Sequence, residues 1–120
     1  MNTALWVAQI LTGAAFLMAG VMKTLRPIPE LAKRMEWVSW VSPATVRVVG
    51  VSELLGGLGL ILPWATGILP VLTPVAAAAL VLVMILAVGL HAKKGDFAHI
   101  APSIVLGALA AFVAWGRFHS

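Results

Sequence analysis

Glu53 is a lone carboxylate within an apolar stretch that runs from Val46 to Leu62. A helix of about 20 apolar residues crosses a bilayer, and this stretch is nearly that long. An ionisable side chain at membrane depth is costly, and it is kept where it pairs with a base, binds a ligand or carries protons. Glu53 is therefore the first candidate for a functional site.

Other charged or proton-binding side chains fall at the ends of the neighbouring apolar stretches. They are Lys23, Arg47, His91 and His99. Lys23 ends the first apolar stretch, and a long lysine side chain can reach along a helix toward a buried acid. The histidines close the third stretch and open the fourth, so we expect both at the same membrane surface as Lys23 and Arg47. Together with Glu53 these side chains form one candidate polar cluster.

Small and polar residues recur at helical spacing on the first two apolar stretches. On the first stretch this face comprises Gln9, Gly13, Phe16, Gly20 and Lys23. On the second stretch it comprises Val46, Gly50, Glu53, Gly57 and Leu60. Membrane helices pack through such faces, because glycine lets two backbones approach closely. We therefore expect these helices to meet, with Lys23 near the inner end of the bundle and Glu53 about two to three turns in from that end.

The polar cluster of Lys23, Arg47, Glu53, His91 and His99 has three interpretations. It could be a hydrogen-bonded polar knot that fixes the register of the helices. It could bind a quinone headgroup or another small amphiphile, with Glu53 or a histidine exchanging protons with the ligand. It could also hold a metal ion with two histidines and one carboxylate, but a histidine spacing of eight residues across a loop matches no metal motif. We predict no metal site and assign no catalytic residue.

Composition limits the class of protein. Of the 120 residues, 62% are hydrophobic and 10% are charged, whereas about a quarter of an average soluble chain is charged. The net charge is +4, but the basic residues lie in short connections between apolar stretches, which is typical of membrane topology signals and not of a nucleic-acid surface. The chain has no cysteine, which excludes thiol–disulfide chemistry and thiolate metal sites.

The hydrophobic pattern predicts an all-α fold, an integral membrane four-helix bundle in a single domain over residues 1–120. The spans are expected at residues 3–23, 44–62, 74–92 and 100–116. Ser42-Pro43 and Thr73-Pro74 each have the pattern of an N-cap followed by proline in the first turn. These two dipeptides therefore predict where the second and third spans begin.

The connection from Pro27 to Ser42 has a helical pattern of its own. Its apolar residues recur at three- and four-residue spacing, at Ile28, Leu31, Met35 and Val38. This pattern predicts a short amphipathic helix that lies in the membrane interface. An ordinary charged loop is the alternative.

Charge distribution predicts the orientation of the bundle. Basic residues concentrate in the first and third connections, at Lys23, Arg26, Lys33, Arg34, Lys93 and Lys94, and the opposite side has only Arg117. By the positive-inside bias, the first and third connections face the cytoplasm and both termini face outward. Trp6, Trp64 and Trp115 would then lie at the outer interface, where tryptophan is favoured. We expect a multi-pass protein of a bacterial inner membrane.

Four segments of the chain resemble the DoxX-like family of small membrane proteins. They are Phe16-Leu-Met-Ala-Gly-Val-Met-Lys23, the stretch from Arg47 to Pro63 that contains Gly-Val-Ser-Glu-Leu-Leu-Gly-Gly, the stretch from Pro74 to Asp96, and Ala111-Phe-Val-Ala-Trp-Gly-Arg-Phe118. The resemblance covers nearly the whole chain and implies a four-helix membrane bundle. It also implies a small subunit of a quinone-linked redox system, a partner of redox-stress proteins or an assembly chaperone. Lys23, Glu53 and His91 match recurrent positions of the family, and no catalytic residue can be carried over.

Three functions follow as hypotheses. The first is a small accessory subunit of a quinone-linked membrane redox system, or a small-amphiphile binder, with quinone as the possible cofactor and membrane redox proteins or a second copy as partners. The alternative is a membrane scaffold or assembly chaperone without chemistry, which would dock partners through the segment from Pro29 to Val41. The third is a small proton-coupled exporter, since such exporters share the length, the spans and one buried glutamate. Activity as an enzyme on its own is not expected, because no nucleophile–base pair or cofactor motif is present.

Overall fold

The structure, a computed structural model, describes residues 1–119 with the exception of the His99 side chain. Over these residues the chain forms five α-helices and two short 3-10 helices, with no β-strand. The α-helices are α1 (Asn2–Leu25), α2 (Ile28–Arg34), α3 (Pro43–Thr66), α4 (Leu72–Lys93) and α5 (Ile100–Phe118). The 3-10 helices are Glu36–Trp40 and Phe97–His99. The predicted all-α fold is confirmed.

The long helices α1, α3, α4 and α5 are long enough and apolar enough to cross a membrane. Many of their large apolar side chains are exposed, among them Leu11, Met18, Leu55, Leu82 and Leu86. A soluble monomer rarely exposes a continuous apolar surface of this kind. In a bilayer the same surface is solvated by lipid, so the chain is an integral, multi-pass membrane protein.

Helix α3 begins as the sequence predicts and ends later. The Ser42 hydroxyl accepts a hydrogen bond from the Thr45 backbone N–H at 3.2 Å, with Pro43 in the first turn. The helix continues past Pro63 to Thr66 and stops at Gly67, whose φ of 71° is left-handed. The predicted end at residue 62 is therefore too early, because a proline inside a helix removes only one backbone donor and does not end every helix.

The start of α4 corrects a second expectation. The helix begins at Leu72, and its N-cap residue, Val71, makes no side-chain capping hydrogen bond. The Thr73 hydroxyl, predicted as the cap, instead donates to the Gly59 backbone carbonyl at 2.8 Å. Thr73 thus ties α4 to α3. Its choice of partner follows from the packing of the two helices and not from the local sequence pattern.

The segment between α1 and α3 is amphipathic, but it is not one continuous helix. Helix α2 stops at Met35, whose extended backbone (φ −129°, ψ 98°) separates it from the 3-10 helix Glu36–Trp40. Leu31 and Val38 are buried together with Val46 of α3. The charged residues Lys33, Arg34 and Glu36 are exposed. The segment therefore packs one apolar face against the bundle. The prediction of a single short helix is wrong, because the chain is extended at Met35, and a position in the membrane interface stays a prediction.

Helices α1 and α3 pack closely through the predicted glycine faces. A Cβ atom on Gly20 would lie 2.5 Å from the Leu54 backbone nitrogen, and one on Gly50 would lie 2.8 Å from the Lys23 Cβ. Real Cβ atoms do not approach other atoms this closely, so both positions require glycine. The close approach brings the end of α1 against the third turn of α3, and it thereby positions the candidate site.

Candidate functional site

Lys23 and Glu53 form a buried ion pair between α1 and α3. Lys23 Nζ lies 2.5 Å from Glu53 Oε1, and the two side chains are 12% and 2% exposed. Lys23 is in the last turn of α1, and Glu53 lies inside α3. Breaking such a pair leaves an uncompensated buried charge, which is far more costly than the intact pair.

Arg47 lies beside this pair but binds the backbone. Its Nη1 donates to the Lys23 carbonyl oxygen at 2.9 Å. The last carbonyls of a helix lack partners within the helix, and a cation there is favourable. Arg47 therefore caps the end of α1 and fixes the backbone of Lys23.

His91 lies near the end of α4 and is buried. Its Nδ1 is 3.2 Å from Asp96 Oδ2, and its ring meets Trp40 edge-on, with centroids 6.2 Å apart. The turn after α4 brings Asp96 back to the histidine, since the Asp96 backbone N–H donates to the His91 carbonyl at 2.8 Å. Sequence reasoning did not single out Asp96. The signal available in the sequence was an acid five residues after a histidine, with a glycine directly before the acid. In the structure this glycine, Gly95, has a left-handed φ of 73°.

His99 is the remaining member of the predicted cluster. Its backbone ends the 3-10 helix Phe97–His99, but its side chain lies outside the described part of the structure. The site is therefore described from Lys23, Arg47, Glu53 and His91.

A cavity of about 510 Å³ opens beside the ion pair, between α1, α3, α4, α5 and the segment before α3. Lys23, Glu53 and His91 line it, and so do the hydroxyl residues Thr45, Ser52 and Ser103. The other walls are mainly aliphatic, with Met35 and Trp37 contributed by the segment between α1 and α3. Binding sites for small molecules have volumes of about 300–1,000 Å³, mostly apolar walls and a few convergent polar groups. This cavity has that character.

Trp37 adds an aromatic wall next to the charged pair. Lys23 Nζ lies 5.3 Å from the centroid of the Trp37 ring, which is within the range of a cation–π contact. The indole thus packs against the ammonium group at the edge of the cavity. The sequence places Trp37 in the connection between the first two spans, but it does not indicate the contact with Lys23.

A second polar network lies at the opposite end of the bundle, around Arg117. Arg117 Nε donates to Gln9 Oε1 at 2.6 Å, and Nη1 donates to Asn2 Oδ1 at 2.9 Å. The guanidinium is 4.4 Å from the Trp64 ring centroid and 5.6 Å from that of Trp6. Sequence reasoning counted Arg117 only as a topology charge. Trp6 and Trp64 are predicted on the same side of the membrane as Arg117, and this was the sequence signal for a contact with the arginine.

The membrane-spanning bundle, with a charged pair buried beside an amphipathic cavity, defines a small helical integral membrane protein with a candidate ligand site. A family model described as the DoxX-like family matches residues 7–113. The chain belongs to this family, and the predicted resemblance is confirmed. Comparisons with curated proteins and with solved structures give no significant match.

Proposed function

We propose that this DoxX-like protein binds a small membrane-dissolved amphiphile of the quinone class, and that it serves as an accessory subunit of a quinone-linked redox system. One observation carries the proposal. The buried pair of Lys23 and Glu53 forms part of the wall of a cavity of about 510 Å³ whose other walls are mainly aliphatic. Apolar walls suit a ring that partitions into lipid, and the polar groups suit the oxygens of its headgroup.

The Lys23–Glu53 pair has the groups needed to hold either redox form of such a headgroup. A lysine ammonium has three N–H donors, and one of them bonds to Glu53. The others can donate to a quinone carbonyl. A quinol hydroxyl, in contrast, is a donor, and the Glu53 carboxylate is an acceptor. The same pair can therefore bind both forms. Lys23 contacts the oxidised form, and Glu53 contacts the reduced form.

In this proposal the chain holds the ligand, and a redox protein in the same membrane carries out the electron transfer. The exposed residues Lys33, Arg34 and Glu36 lie on the segment that also contributes Met35 and Trp37 to the cavity. A partner that contacts this segment would lie next to the bound headgroup. A second copy of the chain is a further possible partner.

The proposed orientation puts the cavity near the cytoplasmic surface of a bacterial inner membrane. Support comes from the basic residues near this end of the bundle, which include Arg26, Lys33, Arg34, Lys93 and Lys94. Cytoplasmic connections are enriched in lysine and arginine.

Quenching of tryptophan fluorescence by a short-tailed benzoquinone in lipid nanodiscs tests the proposal, because Trp37 lines the cavity. We expect saturable quenching that Trp37→Phe largely removes. Glu53→Gln should weaken binding by about tenfold, because the Lys23 ammonium that donates to the quinone carbonyl is held in place by its ion pair with Glu53, and a hydrogen bond to a charged group is worth about 1.5–3 kcal/mol. Glu30→Gln is the matched control, because Glu30 forms an exposed pair with Arg26.

Two outcomes of this titration would count against the proposal. Quenching that rises linearly with quinone concentration, as in collisions within the bilayer, would show that the cavity is not a quinone site. Equal quinone affinities for Glu53→Gln and Glu30→Gln would show that the Lys23–Glu53 pair does not take part in quinone binding. In either case the pair would remain a polar knot that fixes helix register.

A further inference from the structure

The cavity beside the Lys23–Glu53 pair is bounded by one stripe of residues on α3 and one on α4. The α3 stripe consists of Thr45, Val48, Val49 and Ser52, and the α4 stripe consists of Val83, Leu86, Ala87 and Leu90. Within each stripe the residues recur at three- and four-residue spacing, so they share one face of their helix. The two faces therefore border the same space.

Beyond this space α3 and α4 are in direct contact. A Cβ atom on Gly56 would lie 2.6 Å from the Leu80 Cδ2, and one on Gly59 would lie 2.7 Å from the Ala76 Cβ. Gly56 follows Glu53, the last α3 residue that lines the cavity, by less than one helical turn. The two helices thus close together past Glu53, and they leave a gap only in the half of the bundle that contains Lys23.

Val48 and Leu86 mark where this gap opens onto the lipid-facing surface. They are 64% and 66% exposed, whereas Glu53, which lines the same cavity, is 2% exposed. At 1.5 Å per residue, Val48 lies about 8 Å from the start of α3, and Leu86 lies about 10 Å from the end of α4. The two side chains are therefore at a similar depth, and the cavity extends from them to a buried carboxylate.

Ser52 places a hydroxyl group at this opening. Its side chain is exposed, and its Oγ donates to the Val48 backbone carbonyl at 2.8 Å. The hydroxyl oxygen can still accept a hydrogen bond, because it has two lone pairs. A polar headgroup that moves between the opening and Glu53 therefore passes a hydroxyl group, and not aliphatic side chains alone.

The segment before α3 covers the ion pair on another side. Its residues Met35, Trp37 and Val41 line the cavity, and the Trp37 ring packs against the Lys23 ammonium group. Lys23 is only 12% exposed. The charged pair is thus shielded at this end of the bundle, while the gap between α3 and α4 opens where lipid surrounds the helices.

We propose that the cleft between Val48 of α3 and Leu86 of α4 is a lateral portal, through which the ligand passes between the lipid and the ion pair. The inference rests on the proposed function and adds a route to it. It narrows the ligand to ring compounds that are delivered from the hydrocarbon phase, and it excludes those that arrive from water.

Temperature-jump relaxation of Trp37 fluorescence in nanodiscs tests the portal, because it follows exchange of a short-tailed benzoquinone that is already dissolved in the lipid. The double variant Val48→Phe, Leu86→Phe narrows the portal and should slow the relaxation by about fivefold. Entry and exit should slow together, so the dissociation constant should change much less than the rates. Leu86→Ala widens the portal and should speed the exchange.

The matched control is the double variant Val51→Phe, Leu82→Phe. Val51 and Leu82 are exposed on the same two helices and do not line the cavity, so this variant should exchange ligand like the wild type. Exchange rates that are the same in the portal variants and in the control, with saturable quenching in the wild type, would overturn the portal and leave the ligand site intact. Absence of saturable quenching in the wild type would instead overturn the proposed function.

A second measurement needs no variant. Two benzoquinones that differ by two CH₂ groups in one alkyl substituent differ about tenfold in partitioning into lipid. At equal mole fractions in the lipid, both should associate with the wild-type protein at the same rate, because the portal takes ligand from the lipid. A rate about tenfold lower for the more apolar compound would match its lower concentration in water. That result would show entry from the aqueous side and overturn the inference.

Discussion

Lys23 Nζ and Glu53 Oε1 lie 2.5 Å apart although the two residues are 30 positions apart in sequence and on different helices. Their contact depends on glycines that let α1 and α3 approach, and Arg47 fixes the Lys23 backbone from the side of α3. The ion pair therefore forms only when α1 and α3 are closely packed, and a change in this packing should break it.

Removing one member of the ion pair should destabilise the protein more than removing both. Lys23→Met leaves the Glu53 carboxylate buried without its cation, which we expect to cost about 3 kcal/mol in the free energy of unfolding. The double variant Lys23→Met, Glu53→Leu should recover most of this loss. Unfolding titrations of the single and double variants in mixed detergent micelles measure the difference. Equal losses in the single and double variants would mean that the pair is not the source of the effect.

Gly20 should not tolerate a side chain. Gly20→Ala would bring a Cβ atom to 2.5 Å from the Leu54 backbone nitrogen, so α1 and α3 must separate and Lys23 must withdraw from Glu53. We expect a clear fall in unfolding temperature and a loss of quinone quenching. Gly89→Ala is the control, because nothing lies within 4 Å of a Cβ built there, and alanine is a better helix former than glycine by about 1 kcal/mol. Similar unfolding temperatures for the two variants would contradict the tight α1–α3 contact.

Replacing Arg117 by lysine should destabilise the protein. Its guanidinium donates to Gln9 through Nε and to Asn2 through Nη1, between the rings of Trp6 and Trp64. A lysine cannot reproduce these two directed bonds or stack on the indole. We expect Arg117→Lys to lower the free energy of unfolding by about 2 kcal/mol, measured by denaturation in micelles.

Arg26→Lys is the control for Arg117→Lys, since Arg26 forms an exposed pair with Glu30. Exposed ion pairs contribute about 0–1 kcal/mol, so this control should unfold almost like the wild type. If Arg117→Lys also unfolded almost like the wild type, the hydrogen bonds of Arg117 would not contribute to the stability of the bundle.

Helical spacing was sufficient to predict which faces of α1 and α3 meet, because residues three and four apart share a face whatever the surroundings. It therefore placed Lys23 next to Glu53. The same reasoning failed where a side chain had several partners within reach. Thr73 bonds to Gly59 instead of capping α4, and Asp96 reaches His91 through a turn. These choices depend on how helices and turns pack, which a single sequence does not encode locally.

The cavity and the Arg117 network were beyond sequence reasoning for a related reason. A cavity is the space left by residues of many elements, here α1, α3, α4, α5 and the segment between α1 and α3. No spacing rule within one helix describes it. Arg117 lies more than 100 positions from both Gln9 and Asn2, so their contact follows only from the closure of the bundle.

The most direct test of the account is the infrared spectrum of a benzoquinone labelled with carbon-13 at its carbonyls, bound to the protein in nanodiscs. A hydrogen bond from Lys23 lowers the carbonyl stretching frequency, so we expect a band below that of the same quinone in empty nanodiscs. Trp37→Phe should keep this shift, because it leaves the ammonium group in place. A carbonyl band in the wild-type protein identical to that in empty nanodiscs would contradict the claim that the Lys23–Glu53 pair holds a quinone headgroup.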